Sequence, residues 1–308
     1  MKVLVSGIGG DIGFGIARVL KEWGIFSHLH GIDIHSDHSG SFILDECTVA
    51  PRANEDHYIS WLSNYIYENQ IDVFIPTSEA EISVLALAGV DKISGAMIIR
   101  NRNFTVQKSL DKYECLSYLA SCGIQVPDHG LVGYDIPSSY PVIVKPRSGQ
   151  GSKGITLIRT AEELENSQPG FVWQRYLSPD DQEYTCPVYC STTTGTHVLI
   201  IRRKLVGGLT GSGIVVDNSE IEKYVRQIAE SVQLDGAINI QLRLTESGPL
   251  LFEINPRLSS TVVFRDKMGF MDVRWWLSDK LGLENQPYNA PTAGTRFYRG
   301  SQEYISKF

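Results

Sequence analysis

From residue 2 to about residue 100, short apolar runs alternate with amphipathic stretches, and no other feature constrains the fold as strongly. Val3-Leu4-Val5 reads as a strand buried on both faces, followed by a glycine turn and a helix carrying Ile16, Ala17, Val19 and Leu20. Residues 28–34 read as a second strand with Asp33 near its end, and 43–49 as a short strand. Ile59, Leu62 and Ile66 fall at helical spacing, and residues 71–75 form a strand closed by Pro76. Such alternation predicts βαβ units and a parallel sheet, that is, an α/β Rossmann-like unit.

Beyond it, residues 111–122 read as a helix with Leu116 and Leu119 on one face, stopped by Gly123-Ile124-Gln125-Val126-Pro127. From Pro141 onward the chain becomes β-rich. A strand at 142–145 leads into a glycine-rich loop at 147–154 and a strand at 155–159, then a helix near 161–165. Further strands are expected at 171–176, 185–189, 198–205 and 250–254, with a helix through Ile221, Tyr224, Val225 and Ile228 before the last. The expected division is 1–105, 106–170 and 171–308, an α/β unit followed by two α+β subdomains.

A formal net charge of -7 without a long basic run argues against nucleic acid as the primary partner. No apolar run approaches the ~20 residues needed to cross a bilayer. The first residues run straight into a strand, without the longer apolar stretch of a signal peptide, so a cytoplasmic protein is expected. The five cysteines form no CxxC pair and read as small buried hydrophobes rather than zinc ligands or a disulfide.

Gly7, Gly10 and Gly13 stand in GxxGxxG spacing between a strand and a helix, with Asp33 placed where a dinucleotide-binding sheet carries its ribose acid. A dehydrogenase or epimerase would also need a catalytic pair such as Tyr with Lys four residues on, and no tyrosine has one. Tight strand-to-helix packing is the plainer account of these glycines. Thr77-Ser78-Glu79 opens a helix after a buried strand, so Ser78 is either an N-cap beside a dipole-matched Glu79 or part of a pocket.

Phosphate chemistry has a clearer signature. Val142-Ile143-Val144-Lys145 is a buried strand ending in a lysine, which is costly unless an anion meets it. The loop behind it holds Gly149, Gly151 and Gly154, Ser148 and Ser152, and the cations Arg147 and Lys153, although GxxxxGK[ST] is absent. Glu253 and Asn255 lie two apart on a strand, hence on one face, as hard oxygen ligands suited to magnesium. Gln241 on a neighbouring strand offers a further oxygen, and Arg257 a fork for phosphate or carboxylate.

Taken in order, these segments resemble the ATP-grasp superfamily, most closely its carbamoyl-phosphate-synthase-like and biotin-carboxylase-like branch. The resemblance covers essentially the whole chain, with the first unit similar to that branch's pre-ATP-grasp domain. It implies that ATP meets Lys112, Lys145 and Ser152 through its phosphates. Gln174 and the backbone of Arg175 and Leu177 would meet adenine, and Glu183 the ribose. It implies magnesium, with manganese as an alternative, at Gln241, Glu253 and Asn255. Gln241 and Gln174 stand where many relatives carry glutamate. Lys145, Arg203 and Arg257 are the expected catalytic residues of a carboxylate ligase that forms an acylphosphate and couples it to an amine or other nucleophile. The chain is too short for a two-halved carbamoyl phosphate synthase and shows no biotin-carrier segment, so a stand-alone ligase is implied.

The second substrate is sought in the patch Arg202-Arg203-Lys204, where alternation puts Arg203 on the face opposite its neighbours. Ser259, Ser260 and Thr261 are candidates for the acceptor pocket. Asp33 and Glu79 are candidates for a substrate ammonium group, which would favour an amino acid. The expected partners are small molecules, with neither nucleic acid nor membrane, and a homodimer is left open. A nucleotide-binding regulatory protein without turnover and a nicotinamide-dependent oxidoreductase or epimerase are the alternatives.

Overall fold

A computed structural model describes residues 1–149, 154–300 and 303–305. The first sheet holds β1 (Lys2–Ser6), β2 (His28–Asp33), β3 (Glu46–Val49), β4 (Val73–Ile75), β5 (Lys92–Ile93) and β6 (Ala96–Ile98). Its order is β3-β2-β1-β4-β6-β5, parallel except for the β5–β6 hairpin. The helices α1 (Asp11–Trp23), α2 (Tyr58–Asn69) and α3 (Glu79–Leu87) connect these strands. The chain runs outward in both directions from β1, so the carboxyl ends of β1 and β4 flank a topological switch point, where open α/β sheets form their crevice. The predicted strand at 43–49 shortens to β3, because residues 43–45 complete the turn that follows the 3₁₀ segment Ser39–Phe42, with the N–H groups of Ile43 and Leu44 donating to the Gly40 carbonyl.

Two short helices, α4 (Asn103–Leu110) and α5 (Lys112–Ser121), lead to a second sheet of β7 (His129–Leu131), β8 (Val142–Lys145), β9 (Thr156–Ile158) and β10 (Val172–Arg175), in the order β7-β10-β8-β9. Helix α6 (Ala161–Glu165) joins β9 to β10. Strand β10 pairs with both β7 and β8, so the division between the second and third sheets falls after Arg175 rather than at 170. This sheet closes a small core of its own, with Val132, Val142, Val144, Ile158, Leu164 and Trp173 buried.

The third sheet is the largest. It comprises β11 (Glu183–Ser191), β12 (Gly195–Val198), β13 (Ile201–Val206), β14 (Leu209–Val215), β15 (Gly236–Thr245), β16 (Gly248–Asn255) and β17 (Arg296–Tyr298), with α7 (Ser219–Ser231) and α9 (Asp272–Leu281) packed on it and α8 (Val262–Lys267) set against α1 and α9. Val3, Val5, Ile16 and Leu20 of the first unit share one buried cluster with Tyr189, Ile201, Ala237, Val262, Phe270 and Trp275 of the third. Asn101, fully buried between them, donates from Nδ2 to the carbonyls of Ala237 (2.7 Å) and Pro256 (2.9 Å). First and third sheets are thereby fixed to each other, while the second stands on a separate core. Among the described residues no helix is long and apolar enough to cross a membrane.

Candidate active site

In the motif at Gly7, Gly10 and Gly13, the third glycine serves packing, while the first two line the larger of two cavities. A Cβ on Gly13 would stand 2.3 Å from the carbonyl oxygen of Gly7, so only glycine lets α1 approach the end of β1. Asp33 caps this turn, accepting from the N–H groups of Gly9 (2.9 Å) and His35 (3.1 Å). Ser78 is the N-cap of α3 in a capping box with Glu81, whose buried carboxylate also accepts from Ser6 (2.6 Å) and Tyr58 (2.7 Å).

Strands β15 and β16 carry the centre of the site. Gln241 lies directly opposite Glu253, and Asn239 opposite Asn255, so their side chains gather on one face. Each of the three predicted metal-binding oxygens meets a cation of this chain. Gln241 Oε1 accepts from Arg203 (2.9 Å), Asn255 Oδ1 accepts from Arg257 (3.0 Å), and Glu253 stands 3.6 Å from Lys112 Nζ. One carboxylate and two amide oxygens on adjacent strands form a donor set that fits a hard divalent cation.

Lys145 is only 5% exposed at the end of β8. Its ammonium donates to Gln174 Oε1 (2.7 Å) and to the carbonyl of Phe252 (2.8 Å), bridging the second and third sheets. Burial holds its pKa down to about 8, against the opposing pull of Glu253. Gln174 therefore turns an amide oxygen toward Lys145, leaving that oxygen one further lone pair. Lys112 follows the N-cap Asp111 at the start of α5 and also donates to the carbonyl of Gly149 (2.8 Å). Ser152 lies outside the described residues.

Arg203 points to the face opposite Arg202 and Lys204, as alternation predicts. It grips Glu183 Oε1 through Nε (3.0 Å) and Nη2 (2.7 Å). Glu183 is also reached by Arg243 (3.3 Å), a residue the sequence reading missed. Arg243 further donates to the carbonyl of Leu177 and to Asp180. The signal for it was present, because Arg243 stands two residues after Gln241 and so shares its face.

These residues border two cavities. The smaller, of about 210 Å³, is lined by Lys112, Lys145, Gln174–Leu177, Glu183 and Arg243, with apolar walls from Ile143, Ile155 and Phe252. The larger, of about 1060 Å³, opens at the carboxyl ends of β1 and β4, where Gly7, Asp33 and Thr77 face Asn255, Arg257 and Ser259–Thr261 across it. Arg203, Gln241 and Glu253 line both.

Glu79 does not line that cleft as proposed for an ammonium ligand. Its carboxylate accepts from Arg257 (2.9 Å), and burial pushes its pKa up against the pull of that cation. All five cysteines are free; Cys115 and Cys186 are buried as expected, whereas Cys47 and Cys190 are half-buried and Cys122 is exposed, and burial lifts the Cys115 thiol to about 12.

Residues 168–301 match a family model described as ATP-grasp in the biosynthetic pathway with Ter operon. The chain is similar to the solved structure of an L-amino acid ligase from Bacillus licheniformis (TM-score 0.70, 16% identity), over 91% of this chain and 74% of that one. It is similar also to N5-carboxyaminoimidazole ribonucleotide synthetase from Thermus thermophilus (TM-score 0.72, 14% identity), over 96% and 81%. A third similar structure is the biotin carboxylase domain of the Hydrogenobacter thermophilus 2-oxoglutarate carboxylase, solved with MgADP and bicarbonate (TM-score 0.69, 18% identity, over 94% and 71%). At these identities the likeness is one of fold.

Proposed function

Because the chain has the fold of the ATP-grasp superfamily, we propose that it is an ATP-dependent ligase that phosphorylates a carboxylate and passes the acyl group to an amine or another nucleophile. The observation that carries this reading is the position of Arg203, Gln241 and Glu253 on the wall common to both cavities. A nucleotide in the smaller one would direct its terminal phosphate at that wall, and a substrate in the larger one would meet it there. The apolar lining from Ile143, Ile155 and Phe252 suits a purine ring, and Lys112 and Lys145 supply the charge for phosphates.

In the first step a carboxylate oxygen attacks the γ-phosphorus, the bond to the β-phosphate oxygen breaks, and ADP leaves. In the second, the nucleophile attacks the acyl carbon, inorganic phosphate departs, and an attacking amine gives up a proton. Such transfer needs alignment and charge neutralisation more than covalent help from the protein. Lys145 is held between Gln174 and Phe252, so its charge is oriented before any ligand arrives. Arg257, fixed by Glu79 and Asn255, borders the larger cavity and sets its positive charge beside it. Magnesium, or manganese in its place, would be held by Glu253, Asn255 and Gln241 and would neutralise phosphate oxygens.

The test is a screen of carboxylates and amines for stimulated release of ADP and phosphate. With ¹⁸O in the active carboxylate, one label should appear in the released phosphate. Phosphate without label, at a coupled rate, would refute the acylphosphate.

A further inference from the structure

A buried ion pair lies behind the wall of the larger cavity, and the chemistry above makes no use of it. Arg265 and Asp272 are each 1% exposed, and the guanidinium binds the carboxylate through Nε (2.9 Å to both oxygens) and Nη2 (2.7 Å). Such pairing satisfies one edge of the fork and cancels the buried charge. The other edge points back at the cavity wall, where Nη1 donates to Ser259 Oγ (2.8 Å) and Thr261 Oγ1 (2.9 Å). The two hydroxyl oxygens are 3.1 Å apart, and both residues line the larger cavity.

Counting protons gives the consequence. Each hydroxyl oxygen already accepts from a cation. One of the two hydroxyl protons serves the contact between them. The other has no acceptor among the described residues. Donation by a guanidinium polarises a hydroxyl and strengthens the hydrogen bond that the hydroxyl makes in turn. The turn is braced from its other side as well, because Arg299 Nη2 donates to the carbonyl of Ser260 (2.8 Å).

We propose that Ser259 and Thr261 form a carboxylate subsite, in which the spare hydroxyl proton meets one oxygen of a ligand held in the larger cavity. Arg265 and Asp272 are positioning residues that act through those hydroxyls. A carboxylate suits this place better than a phosphate. Arg265 is already neutralised by Asp272, so the subsite offers a single polarised donor and no free positive charge, which is too little for a dianion. Only the statement that this carboxylate is the one phosphorylated rests on the ligase reading. Binding itself does not.

The experiment uses trifluoroacetate as the probe, followed by ¹⁹F line broadening on the full chain, with MgATP binding measured separately. Wild type should broaden the signal, and acetate should reverse it. Ser259→Ala combined with Thr261→Val keeps the shape of the turn and should weaken probe binding at least tenfold, with MgATP affinity unchanged. Arg265→Met should weaken the probe similarly and Arg265→Lys should recover part of the loss, a pattern that packing alone does not give. If Arg265→Met does not fold, the hydroxyl double variant decides. Probe binding that is absent in wild type, or undiminished in the double variant, overturns the proposal. Inorganic phosphate displacing the probe more strongly than acetate overturns the choice of a carboxylate. Loss of MgATP binding in wild type would count against the ligase reading and leave this result standing.

Discussion

At the scale of single residues, Lys145 shows how sequence and structure divide the information. A lysine closing a buried apolar strand signals an anion site on energetic grounds alone. The sequence did not reveal that two neutral oxygens, from Gln174 and Phe252, hold it ready, because those partners come from other strands. With its pKa near 8, the amine is charged below that pH and neutral above it. Nucleotide affinity should therefore fall as pH rises through about 8, and the fall should be absent in Lys145→Met. Titration calorimetry across pH 7 to 9 reads both. Glu253→Ala removes the only carboxylate among the three predicted metal-binding oxygens. The turnover rate should drop about 10²-fold or more, with thermal stability near that of wild type. Full activity in that variant would exclude Glu253 from the reaction.

At the scale of elements, much of the first unit and of the second sheet was legible because periodicity reports directly on which faces are buried, whereas helices α4, α8 and α9 and strands β5, β6, β7, β12, β14 and β17 were not read from the sequence. Strands β1, β2, β4, β8 and β10 and helices α5 and α6 lie where the pattern puts them, to within a few residues. What the pattern does not carry is pairing. That β10 belongs to the second sheet depends on hydrogen bonds to β7 and β8. The glycines after β1 are informative in the same way. Their spacing fits a pyrophosphate loop or a close helix equally well, and the 2.3 Å that a Cβ on Gly13 would leave to the Gly7 carbonyl shows that the helix needs the third glycine. Gly13→Ala should cost about 3 kcal/mol or more, because backbone on both sides has to move. A melting temperature unchanged from wild type would show that the turn has slack.

At the scale of the whole molecule, the candidate site depends on contacts far apart in sequence. Glu79 steadies Arg257 across 178 positions, and Asn101 reaches the carbonyls of Ala237 and Pro256. No local spacing announces such contacts, which is why Glu79 read as a ligand for substrate when its carboxylate serves Arg257. Asn101→Ala leaves two buried carbonyls without their donor. It should cost about 3 kcal/mol of stability and also lower turnover, since Pro256 sits between Asn255 and Arg257. Denaturant unfolding and steady-state rates, measured together, separate the two effects.

The small separate core of the second sheet has a further consequence for how the protein comes apart. A unit whose core holds, among the described residues, six buried hydrophobic side chains opens at lower free energy than the core that unites the other two sheets. Amides of β8 and β10 should exchange with deuterium ahead of those in β1 and β15. Of the chain's tryptophans, Trp173 alone belongs to that sheet, so its fluorescence offers a built-in reporter of partial melting. A ligand that spans the second and third sheets should slow that exchange and hold that signal to higher temperature.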